Sequence, residues 1–142
     1  MSTPTEIYHN FLNASDAERL NIAKQSAYNL AVFLRDSGLD EDTRTAFFFS
    51  ALGLFIAADL KVTNAETKMF NDLLDTNYSS QELVENFSHC TQGEWIQKMD
   101  EIIDAMPEEN KYDLCLLGLA FLTSDRELTK REIAIFEKIL GQ

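Results

Sequence analysis

Residues 46–74 read AFFFSALGLFIAADLKVTNAETKMFNDLL. The first half of this stretch is apolar nearly all the way round, with Phe47, Phe48, Phe49, Leu52, Leu54, Phe55 and Ile56 leaving no face for water. A helix of that kind belongs in the middle of a domain. It is shorter than the about 20 consecutive apolar residues a membrane span requires. After Ala58 comes Asp59, and Thr63-x-x-Glu66 then forms a capping box that opens a second helix. The same design returns at 116–140.

Working outward, helix start signals recur and strand signals hardly appear. Thr3 before Pro4, with Glu6 following, predicts a short helix over about 4–12. Ser15-x-x-Glu18 opens a long one. Its Leu20, Ala23, Ala27, Leu30, Ala31 and Leu34 recur at helical spacing, and Gly38 closes it as the C′ residue. Asp40 and Asp42 lead into the central helix, expected over about 42–58. Thr63 and Ser79 each begin a further helix with a capping box. A break at Thr91-Gln92-Gly93 precedes a helix over Glu94–Ala105. Pro107 is expected at the first position of a second apolar helix running to about Ser124, and a last helix should cover Lys130–Leu140. The reading is all-α: a single-domain helical bundle of about seven to eight helices spanning 1–142.

An ungapped alignment of 50–74 on 116–140 pairs Phe55 with Phe121, Asp59 with Asp125 and Thr63 with Thr129. It also pairs Glu66 with Glu132, Phe70 with Phe136 and Leu74 with Leu140. Shared composition explains some of this, but not an acid, a capping box and their common spacing. The expectation is an internal pseudo-twofold repeat of helix-turn-helix units, about 43–76 and 108–141. The two units would pack apolar face to apolar face, with the remaining helices outside.

The motif Ala58-Asp59-Leu60-Lys61-Val62-Thr63-Asn64-Ala65-Glu66, with its echo Ser124-Asp125-Arg126-Glu127-Leu128-Thr129-Lys130-Arg131-Glu132, resembles the turns of the TerB-like (tellurite-resistance protein TerB) family. That resemblance implies an all-helical bundle. It also implies a stress-response binding or sensing module, and a divalent-metal role for Asp59, Glu66, Asp125 and Glu132. The family includes domains of membrane-linked stress complexes and of co-chaperones. Where it commonly places glycine after the Asp, this chain has Leu60 and Arg126, which lack glycine's freedom to adopt positive φ.

From the residues alone, two uses of these turns stay open. An EF-hand loop wants oxygen ligands at positions 1, 3 and 5, Gly at 6 and Glu at 12. Counting from Asp59, positions 3 to 12 supply Lys61, Thr63, Asn64 and Phe70, so an EF-hand is excluded. A looser cation site could use Asp59, the Thr63 hydroxyl, backbone carbonyls and Glu66. The alternative is structural: each Asp accepts backbone N–H groups while Thr and Glu cap the next helix, worth roughly 0.5–2 kcal/mol apiece. At the second turn Asp125, Glu127 and Glu132 are balanced by Arg126, Lys130 and Arg131, which suits salt bridges and caps.

Other chemistry is sparse. Glu6-x-x-His9 has the spacing of one half of a di-iron site but stands alone. His89 and Cys90 are adjacent, so they point to different faces of a helix. Cys90 and Cys115 form neither a CxxC nor a disulfide framework and read as reduced core residues. There is no GxSxG, GxGxxG, Walker loop, HExxH or zinc-finger spacing, and the reading is not an enzyme. The run Phe47-Phe48-Phe49 and Met99 and Met106 read as core, and Trp95 as a half-exposed interaction anchor.

With 24 acidic against 12 basic side chains the net charge is −12, which repels nucleic acid and anionic lipid. Such a surface favours solubility, and it suits a partner protein with a basic surface. The first residues, MSTPTEIYHN, lack the basic and apolar regions of a signal peptide, so the Asn-x-Ser triplets at Asn13, Asn77 and Asn86 carry no meaning and a cytoplasmic monomer is expected.

Overall fold

A helix without a polar face must be covered on every side, and that requirement organises the fold. The structure is a computed structural model that describes residues 3–56, 62–122, 134 and 136–139, with backbone alone at 4, 54–56 and 122. The described residues form seven α-helices and no strand: α1 (Pro4–Leu12), α2 (Asp16–Asp36), α3 (Glu41–Ile56), α4 (Asn64–Leu74), α5 (Ser80–Cys90), α6 (Glu94–Asp104) and α7 (Glu108–Leu122). Residues 136–139 are also helical.

Most helix ends are written by local chemistry. The side chains of Thr3, Ser15, Thr63 and Ser79 each accept the backbone N–H three residues on, and the last two complete reciprocal capping boxes with Glu66 and Glu82. Asp40 opens α3 in the same way, its Oδ1 accepting the Thr43 N–H at 2.7 Å. These bonds hold the Asp40 carboxyl below the ordinary aspartate value. At the end of α2, Gly38 takes φ +79 and donates to the Arg35 carbonyl, while the Leu39 N–H reaches the Leu34 carbonyl. That is a Schellman stop, and a side chain at Gly38 would strain it. Pro107 sits one position earlier than expected. Helix α7 begins at Glu108, and the Pro107 carbonyl accepts from Asn110 and Lys111 at 3.0 Å each, as a cap residue's does.

The core follows the apolar stripes. Phe47, Phe48 and Phe49 are all buried, as are Met99 and Met106. Phe70 lies at the hub of the aromatic packing, with ring centroids 5.4 Å from Phe49, 5.7 Å from Phe87 and 6.2 Å from Phe121. Both described members of the paired positions Phe70 and Phe136 are buried. Helices α3 and α7 touch, but neither is the other's main partner. Helix α7 packs most extensively on α2, and α3 on α5, while α1 lies against α7 and α6 against α3. The expected face-to-face pairing of two apolar helices is therefore diluted, because each needs cover on its other sides as well.

Two features hold this arrangement in place. Gly53 lets α5 approach α3 closely: a Cβ there would stand 2.7 Å from the Thr91 methyl and 3.2 Å from the Phe87 Cβ. Beside it the buried Ser50 hydroxyl donates to the Cys90 carbonyl at 2.6 Å. At the other side of the bundle, Arg19 is buried and donates to the carbonyls of Phe11 and Ala14, both at 2.7 Å, and pairs with Asp16. It supplies donors to backbone carbonyls at the end of α1 that the helix itself leaves over.

Candidate functional site

The turn singled out by sequence is only partly in view. Asp59, Asp125 and Glu132 lie outside the described residues, and Glu66 is the one candidate ligand whose surroundings are seen. It is 1% exposed. Its Oε1 accepts the Thr63 N–H at 3.0 Å and the Thr63 hydroxyl at 3.1 Å, and its own N–H donates to Thr63 Oγ1 at 3.1 Å. These contacts are those of a helix cap, and they engage one carboxylate oxygen fully. Among the described residues no cluster of three His, Cys, Asp or Glu side chains has the proximity of a metal site.

The remaining candidates fall into place individually. Glu6 and His9 are exposed on α1, and His89 is exposed in the last turn of α5. Cys90 and Cys115 are buried free thiols. Burial raises both thiol pKa values, that of Cys115 to about 12, so neither is a nucleophile at neutral pH. Trp95 is half-buried, with the Lys98 ammonium 5.0 Å from its ring centroid, a cation–π contact within its own helix.

One surface feature was missed by motif reading. A groove of about 980 Å³ runs between the C-terminal half of α2 and the start of α7. The two helices are antiparallel here and joined by a polar ladder. Asn29 donates to Asp113 Oδ1 at 3.3 Å, Asn110 donates to the Asn29 carbonyl at 3.4 Å, and Gln25 donates to Asn29 Oδ1 at 3.0 Å. Ser26, itself buried, lies beside Asp113 and favours its charged form. The half-buried Asp113 carboxyl titrates above the ordinary aspartate range, chiefly because burial disfavours its charge, with nearby Glu109 adding to the effect. Tyr28, on the rim, is 65% exposed, the most exposed large hydrophobic side chain among the described residues. The sequence signal for this site was faint: Asn29 and Asp113 are polar residues beside the apolar stripes of two helices.

No helix of the described residues is long and apolar enough to cross a membrane. The arrangement defines a class, an all-α bundle with an acidic, tyrosine-edged groove between its two most closely associated helices. Comparison of the chain with protein-family models, curated proteins and solved structures finds no match.

Proposed function

We propose that this protein is a non-enzymatic protein-interaction module, a TerB-like accessory domain of stress-response type whose acidic surface captures a basic partner. The observation that carries the reading is the charge left unbalanced by the fold. Of the 24 acidic side chains, 20 lie among the described residues, and these take part in two ion pairs, Arg19 with Asp16 and Arg35 with Asp36. Exposed carboxylates so placed steer a cationic partner and repel nucleic acid and anionic lipid. The full chain, immobilised and exposed to cell lysate at low ionic strength, should retain a protein of net positive charge that added salt releases. Retention of nothing, or of partners indifferent to salt and without basic character, overturns the reading.

A second reading follows from the buried carboxylate at the first turn. Here Asp59 and Glu66, with Asp125 and Glu132 as the repeat's counterparts, bind a divalent cation. Glu66 is the member seen, and its burial favours the idea, while its role in the capping box competes with it. Residues of this kind, hard carboxylate oxygens with a neighbouring hydroxyl, suit magnesium, calcium or manganese. In a thermal-shift series across divalent cations, the wild type should gain melting temperature that Asp59→Ala and Asp125→Ala do not. Equal gains in all three proteins exclude it. The duplicated hairpin itself is tested by superposing 50–74 on 116–140 in an experimental structure.

A further inference from the structure

The interaction reading leaves open where the partner sits, and the α2–α7 groove has the chemistry to answer it. Its acidic side chains are Asp36, Glu109 and Asp113, and its apolar walls include Tyr28, Phe33 and Tyr112. Among the described lining residues the cation is Arg35, whose Nε lies 3.6 Å from Asp36 Oδ1, so it is directed to its neighbour. Among the described residues no cation pairs with Glu109 or Asp113. Asn29 donates to the Asp113 carboxylate, which orients it without neutralising it. The C-terminal end of α2 and the N-terminal end of α7 bring opposite dipole poles to the groove, so the carboxylates and not the helix dipoles set its sign.

We propose that this groove docks a lysine- or arginine-bearing segment of a partner protein. The cationic head group sits against Glu109 and Asp113, and the aliphatic stem lies along Tyr28 and Tyr112. A partially desolvated carboxylate without a cation is the group that gains most from receiving one. A tyrosine rim supplies rigid contact area and a π face for the same cation. The occupant is a basic segment and not a second copy of this chain, since two molecules of net charge −12 repel. Nor is it nucleic acid or an anionic membrane, which the carboxylates exclude.

The proposal rests on the interaction reading but fails separately from it. The probe is a fluorescein-labelled peptide of alternating arginine and leucine, measured by anisotropy with the full chain at low ionic strength. A peptide with glutamate in place of arginine is the control. Wild type should bind the arginine peptide only. Glu109→Gln combined with Asp113→Asn should weaken binding by about tenfold or more, as expected for removal of paired charges. Tyr28→Ala, an exposed truncation that leaves the fold untouched, should weaken it by several-fold. Glu85→Gln combined with Glu101→Gln removes the same charge from exposed positions outside the groove and should leave binding within about twofold of wild type.

Equal losses in the two charge-removal pairs, or unchanged binding in the groove variants, overturn the docking site. If the lysate experiment still yields a basic, salt-released partner, the wider reading survives that loss. Binding of the glutamate peptide, or a doubled sedimentation mass abolished by Tyr28→Ala, assigns the groove to another occupant and likewise overturns the proposal.

Discussion

The α3–α5 seam and the α2–α7 seam are built on opposite principles. The first is dry and tight: Gly53 brings the backbones together, Phe49, Phe70 and Phe87 interlock beside it, and its described polar bond runs from Ser50 to a backbone carbonyl. The second joins the two helices in most extensive contact, yet it carries Asn29, Asn110 and Asp113 across its upper half and opens there into a groove. A seam that serves only stability has no reason to hold a half-buried, uncompensated carboxylate. The contrast teaches that one seam is sealed by close apolar packing while the other leaves polar groups at the surface, where the proposed docking would use them.

Four substitutions would break or sharpen that contrast. The largest effect should come from Phe70→Ala, which empties the aromatic hub. It is expected to cost about 3–5 kcal/mol in chemical denaturation, and a loss under about 1 kcal/mol would show that the hub is not tightly packed.

Next comes Arg19→Ala, on α2. It removes two hydrogen bonds from a charged donor to the Phe11 and Ala14 carbonyls and should cost about 2–3 kcal/mol. Hydrogen exchange should show α1 opening more readily than the rest of the bundle.

Gly53→Ala tests the dry seam directly. Alanine is worth about 1 kcal/mol more than glycine within a helix, but the 2.7 Å approach to the Thr91 methyl forces a shift. Thr91 cannot swing away freely, because its hydroxyl donates to the Phe87 carbonyl at 2.7 Å. The net result should be a loss of about 1–2 kcal/mol. Thr91→Ser in the same chain removes the offending methyl and should recover part of it. A gain in stability from Gly53→Ala alone would mean the two helices are not in close contact.

The smallest effect belongs to the polar seam, and its sign is the informative part. Native Asp113 releases its proton at higher pH than an ordinary aspartate, so ionising it opposes folding. Its contribution is full below the ordinary carboxylate range and lost as pH rises through the native value. Asp113→Asn keeps an acceptor for Asn29 and should therefore raise the melting temperature slightly at neutral pH. The gain should vanish in acid, and a clear destabilisation at neutral pH would make the carboxylate structural.

Much of the fold was legible because helix ends and buried faces are local statements. Ser15, Thr63, Ser79 and Gly38 carry their instructions in hydrogen bonds spanning three to five residues, and the structure places each where the pattern predicts. The Phe47-Phe48-Phe49 run could only be interior. Arg19 could not be read the same way, since the Phe11 carbonyl becomes its neighbour only after α1 folds back over the start of α2. Asn71 is similar: it secures the segment after α4 through Thr76 and Tyr78, a role its place in an amphipathic stripe does not announce.

The chain by itself determined an all-helical protein, the ends of most helices and the identity of its core. Those depend on side chains acting on their own backbone or on apolar periodicity along one helix. Tertiary structure alone decided which helices are neighbours, and therefore that Asn29 and Asp113, 84 residues apart, share a groove with Tyr28 and Tyr112. Burial, the half-desolvated carboxylate of Asp113 and the shape of the groove are properties of packed pairs of elements. No single stretch of sequence contains them.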